Sequence, residues 1–212
     1  MSFAKHLEDA IRLNLERMPL YSRLTGGESG AVSRRLIRWE RLALPVARWV
    51  DRRARPYQAR GIPVVTADFV SMAGTPEFRE RAPEPPLPLS DFRRADARRI
   101  RRAVGRALAR GGFAGAAAAL RGELAALEAA RCYHCMLRHL LESMLRIAVL
   151  APRHAARAEA LGMRPPVGLS RLLLRLHLLV LADAAKLDAQ AAPIQARGIP
   201  ILCQDVPPIP PG

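Results

Sequence analysis

Apolar residues recur along most of this chain at intervals of three and four, the spacing that lines one face of a helix. From Phe3 to Met18, Leu7, Ile11, Leu13 and Leu15 keep mixed helical spacing, and Glu8 and Arg12 stand four apart as an expected ion pair. Gly26, Gly27 and Gly30 break the chain. Ser33 then reads as the N-cap of a second helix reaching about Arg55, kinked or split at Pro45 and ended by Pro56. Gln58 to Val65 reads as an extended arm, since Gly61 allows a turn and Pro63 forbids helix. Ser90 and Asp91 cap another helix, which stops at Gly111 and Gly112. A long helix follows from about Phe113 to Leu150, Ala-rich and then Leu-rich, interrupted by Pro152. His154 to Leu161 adds a turn or two, and a last helix spans about Gly168 to Ala191, before Pro193. The pattern predicts an all-α protein.

Much of this pattern is written twice. Ser33 to Asp68 corresponds to Ser170 to Asp205 at a constant offset of about 137 positions. The six residues from Gln58 to Pro63, QARGIP, recur unchanged from Gln195 to Pro200. A tandem duplication predicts two helix pairs, each with its arm, packed about a pseudo-twofold axis into a helical bundle. In the first helix of each unit, HLEDAIRL from His6 aligns with LLESMLRI from Leu140, which sets Glu142 against Glu8 and Arg146 against Arg12. The expected organisation is a first repeat over 1–72, a Pro-rich linker of polyproline character over 73–90, a basic helix and the start of the long helix over 91–131, and a second repeat over 132–212.

Composition supports helices over sheets. Half the residues are hydrophobic but only 5% are aromatic, and Leu and Ala dominate. The formal net charge is +15, carried almost wholly by Arg, which points to an anionic partner or to a general Arg bias in composition. Three cysteines imply no disulfide framework. The N-terminal segment is amphipathic with no apolar signal core, and the most apolar run, Leu172 to Ala182, contains Arg175 and His177. The expectation is a cytoplasmic protein with no membrane span. Gly-x-Ser-x-Gly, P-loop and dinucleotide fingerprints are absent, so a non-enzymatic binding or adaptor protein, with a protein partner or self-association, is the leading expectation.

Three sets of residues carry candidate chemistry beside that reading. The basic helix holds Arg93, Arg94, Arg98, Arg99, Arg101, Arg102, Arg106 and Arg110 around an apolar stripe of Ala97, Ile100, Val104 and Leu108. Such a helix can dock by its stripe and present cations to phosphates, giving backbone-directed nucleic-acid binding without base readout. The plainer alternative pairs those arginines with Glu80, Glu84, Glu123 and Glu128. In the arms, Arg60 and Arg197 are equivalent, and either grip an anion or satisfy helix-end carbonyls and nearby Asp51, Asp188, Asp68 or Asp205. Arg34 and Arg38 recur as Arg171 and Arg175, expected as an ion-pair ladder to Glu8 and Glu142.

The third set is a candidate transition-metal site. On one helix Cys132, Cys135, His139 and Glu142 share a stripe, and thiolate, imidazole and carboxylate are metal ligands in kind. One ion takes two or three of them, the rest coming from facing helices: Glu8, Glu40, His177 or Cys203. This resembles, in chemistry alone, the carboxylate-bridged dimetal centre of ferritin-like bundles, which would imply a metal-dependent enzyme or sensor. That family uses Glu-x-x-His, whereas this chain has His139-x-x-Glu142 in the reverse order. The competing reading is an ordinary apolar seam of Cys, Met and Leu.

Overall fold

The computed structural model describes residues 2–64, 94–129, 136–197 and 201, which form five helices and, among the described residues, no strand. They are α1 (Phe3–Leu24), α2 (Glu28–Gln58), α3 (Arg94–Ala129), α4 (Met136–Ala160) and α5 (Val167–Gln195). The Pro-rich linker, Cys132, Cys135 and Cys203 lie outside the described residues, as do Ser90 and Asp91.

α1 and α2 form one antiparallel pair, α4 and α5 another. In each, an aspartate late in the second helix starts the first. Asp51 accepts the amide N–H groups of Phe3 and Ala4 at 2.9 and 2.8 Å, and Asp188 accepts those of Met136 and Leu137 at 2.7 and 2.9 Å. A carboxylate there meets two otherwise orphaned helix amides and the positive end of the helix dipole. α3 packs on α4 and α5, and α2 joins the pairs by meeting α5.

Several boundaries differ from the expectation. Ser33 is not an N-cap; it is buried inside α2, which starts five residues earlier, at Glu28. The tight turn after α1 supplies the cap from Thr25, whose Oγ1 accepts from the amide of Ser29 at 3.0 Å and donates to the carbonyl of Tyr21 at 2.8 Å. Pro45 and Pro56 stay within α2, Pro152 within α4 and Pro193 within α5. All four are exposed, so the lost hydrogen bond falls on the solvent side while Ala47, Val50, Ala151 and Ala191 hold the opposite face in the core. The long helix over 113–150 is two: α3 ends at Ala129, and the Asp188 cap fixes a new start at Met136. Of the expected stripe, only His139 and Glu142 fall on described residues, and both lie on α4.

The arm is mostly a helix end rather than extended chain. Gly61, at φ 71°, donates to the carbonyl of Gln58, and Ile62 donates to that of Tyr57, closing α2 in a left-handed turn. Only Ile62 and Pro63 leave it, and Ile62 and Val64 are buried with Leu173 and Ala158 of the other helix pair. In the second arm, Ala196 and Arg197 repeat the amide bonds of Ala59 and Arg60, and residues 198–200 lie outside the description.

α3 is a hairpin. Arg99 and Glu123 bond at 2.6 and 2.7 Å, although a straight helix would part them by about 36 Å. The reversal falls at Gly112 (φ 59°, ψ −148°), a conformation closed to a side-chain-bearing residue, so the stop read at Gly111 and Gly112 stands. The arms touch closely: a Cβ on Gly115 would sit 2.7 Å from the carbonyl oxygen of Ala107. Gly115→Ala is therefore expected to destabilise by about 1–3 kcal/mol in urea denaturation, despite alanine's better helix propensity. Gly122→Ala, where a Cβ meets nothing within 4 Å, is the control and is expected to be neutral or stabilising by up to about 1 kcal/mol. Equal effects at both positions would refute the close approach.

Candidate functional site

The first arm of α3 sorts its residues by face. Ala97, Ile100, Val104 and Leu108 are all buried in the main core, as their spacing predicts. Arg98, Arg102, Arg106 and Arg110 follow one another at four-residue steps on the outside, each step rising about 6 Å along the axis. Arg101 flanks this row and is exposed as well. Of the paired carboxylates expected for the helix, buried Glu123 takes Arg99 in a two-pronged bond. Glu80 and Glu84 lie outside the described residues. Arg98, Arg101, Arg102, Arg106 and Arg110 make no ion pair or side-chain hydrogen bond among the described residues. Arg99 is thus a hairpin strut, and its neighbours are the open cations.

The two arm arginines part company. Arg60 is exposed and without an ion pair among the described residues, whereas Arg197 pairs with Glu28 at the start of α2. Asp51 and Asp188 serve helix amides rather than these arginines. The expected ladder is absent too: Glu8 pairs with Arg48 at 2.9 Å, Arg12 with Asp9 at 3.4 Å, and Glu142 with Arg138 at 2.6 Å. Set on their shared aspartate caps, α1 and α4 shift by one residue from the sequence alignment, so Glu8 falls opposite Leu141, not Glu142.

The metal candidates are spread out. Among the described residues no three His, Cys, Asp or Glu side chains come together as a ligand set. Glu142 is held by Arg138, and Glu8 by Arg48. His177 Nδ1 lies 2.8 Å from the carbonyl oxygen of Leu173, so that nitrogen carries the proton. Burial, and then the neighbouring His139, hold His177 below the usual imidazole range. Glu40 is buried in the first helix pair, where Asn14 Nδ2 donates to both its oxygens at 3.0 and 3.2 Å. Burial pushes its carboxyl up to about 7, with Asn14 opposing. Ligand chemistry was legible in the sequence, but the partners that occupy each group were not.

Two further features carried no sequence signal. Asp51 and Asp188 stand in the sequence as expected partners of the arm arginines, with nothing to mark that each fixes where another helix begins. His177 is read in the sequence as a metal-ligand candidate and Ser170 as the counterpart of Ser33, and nothing there marks the small pocket that they line with Ser143, Arg146 and His154. No helix among the described residues is long and apolar enough to cross a membrane. Set against models of known families, curated proteins and solved structures, the chain has no match.

Proposed function

We propose that this is a non-enzymatic helical binding protein that holds a nucleic-acid backbone along the first arm of α3. The observation that supports this is the exposed row Arg98, Arg102, Arg106 and Arg110, flanked by Arg101 and left without carboxylate partners among the described residues. The buried stripe beneath fixes the backbone of the row on the core, so the spacing of the four arginines along the helix is set before a line of phosphates is met. Guanidinium groups pair with phosphate oxygens in two-pronged fashion, and binding gains from counterion release. Contacts of this kind position the backbone and carry no base information.

The test is fluorescence anisotropy with a labelled duplex of mixed sequence across a salt series. Neutralising the row as R98Q/R102Q/R106Q/R110Q is expected to weaken binding by on the order of a hundredfold at low salt and to flatten the log–log salt slope by about 3–4. R99Q differs in kind, because it breaks the hairpin strut and registers first as lost stability. Duplex binding by the quadruple variant equal to the parent, with helicity intact, would overturn the proposal. A second reading, a protein partner, is favoured by Leu42, Val46 and Trp49, which stand exposed on the outer face of α2 at helical spacing, with Arg53 over the Trp49 ring at 5.2 Å. That surface does not use the row, so partner binding there survives the quadruple substitution.

A further inference from the structure

α3 packs on both helices of the second pair, α4 and α5, whereas among the described residues no helix packs on both α1 and α2. Leu174 and Leu178 of α5 share one buried apolar cluster with Ile100 and Val104 of α3. At the offset of about 137 their counterparts in α2 are Ile37 and Arg41, and there a groove stands open instead. It runs between α1 and α2 and measures about 430 Å³, far more than one water needs. Its apolar lining is Leu15 and Met18 of α1 with Ile37 and Leu42 of α2, and its cationic lining is Arg34, Arg38 and Arg41. Leu42 is 68% exposed and Leu15 40%. All three arginines are exposed, and among the described residues none has an ion pair or a side-chain hydrogen bond.

The lining selects the occupant. Exposed leucine and methionine gain by burial against other apolar side chains, which a phosphate backbone does not offer. They sit in a recess, which a ridge of side chains fills and a flat lipid surface does not. A second copy of the chain brings another formal charge of +15, and groove against groove would set the same arginines against each other. Arg34, Arg38 and Arg41 span about 10 Å of rise, close to one cation per turn, and so match carboxylates at i, i+4 and i+7 of a facing helix. We propose that the groove between α1 and α2 binds an acidic amphipathic helix of a partner protein, its apolar ridge on Leu15, Met18, Ile37 and Leu42 and its carboxylates on Arg34, Arg38 and Arg41. This rests on the second reading above, a protein partner on α2, and gives that partner its chemistry; the arginine row of α3 takes no part.

The test is fluorescence anisotropy of the whole chain with a labelled synthetic helix of about 15 residues, leucine at i, i+4 and i+7 and glutamate at the flanking positions. Saturable binding is expected at low salt with a dissociation constant on the order of tens of micromolar, and about tenfold weaker for a scrambled peptide of the same composition. R34Q/R38Q/R41Q is expected to weaken binding by about tenfold, and L15S/L42S by a similar factor. R121Q/R153Q/R171Q removes as much charge from exposed sites on other helices and is expected to change binding by less than about twofold. Every replaced side chain is exposed, so the helicity read by circular dichroism is expected to be unchanged. No saturable binding, equal losses in the two arginine variants, or equal binding of the scrambled peptide would overturn the proposal. So would mixed-sequence duplex or phosphatidylserine vesicles whose binding falls in R34Q/R38Q/R41Q as far as that of the peptide. Peptide binding that V46S/W49S abolishes and the groove variants leave unchanged would overturn the groove alone and keep the outer face of α2 as the partner surface.

Discussion

Glu40→Gln is expected to stabilise the protein by about 3 kcal/mol at pH 8 and to change nothing at pH 4. Glu40 is 4% exposed, and the one group that bonds it, Asn14, is neutral. A single amide cannot replace the water that a carboxylate loses on burial, so the neutral form is preferred and the carboxyl rises from 4.5 to about 7. Below pH 4.5 the group is protonated in both the folded and the unfolded chain. Between 4.5 and 7 the unfolded chain gives up the proton while the folded chain keeps it, and stability falls as pH rises. Above 7 the folded chain carries a buried carboxylate and the loss is complete. Glutamine keeps an oxygen for Asn14 Nδ2 and never ionises. Urea denaturation of both proteins from pH 4 to 8 reads the difference directly. A gap that is constant with pH, or a parent more stable than E40Q at pH 8, would show that a cation compensates Glu40.

That carboxyl also shows which parts of the molecule could be read in advance. Glu40 was legible as a polar residue on an apolar helix, and it was read as a metal ligand because ligand type is written in the sequence. Its partner, Asn14, lies 26 residues away on another helix, and nothing local announces the pairing. The same division holds throughout. The stripe Ala97, Ile100, Val104 and Leu108 and the stop at Gly112 depend on neighbours within a turn or two, and both are found in the structure. Likewise, the row Arg98, Arg102, Arg106 and Arg110 is periodic, so its exposure followed from that of the stripe. By contrast, the prolines were overread, because propensity counts the lost hydrogen bond but not the side of the helix on which it is lost. Ser33 looked like a cap because it precedes an apolar run, while Thr25 does the capping from within a turn. The small pocket of Ser143, His154, Ser170 and His177 had no local trace at all: it exists only where α4, α5, Phe3 and the Pro63–Val64 segment converge.

Of all these long-range contacts, the aspartate caps carry the largest expected penalty. Asp188→Ala is expected to destabilise by about 3 kcal/mol, and Asp51→Ala by about 1 kcal/mol. Both carboxylates accept two consecutive amides at the start of a helix, so the lost bonds are the same in number and kind. What differs is the surroundings. Asp188 bonds Met136 and Leu137 inside the core, where both residues are buried, and its removal strands two N–H groups out of reach of water. Asp51 bonds Phe3 and Ala4 at a part-buried site, where water can step in. Burial raises Asp188 to about 6 even against its two amide bonds, so its charge is itself costly and part of the penalty is returned when alanine replaces it. Asp188→Asn separates these effects, because it keeps one acceptor without the charge, and it should fall between the parent and D188A at pH 7. Denaturation of the four proteins at that pH gives the ordering. Equal losses below about 1 kcal/mol in D188A and D51A would mean that α4 starts at Met136 for some other reason, and the cap would be a consequence of the fold rather than one of its causes.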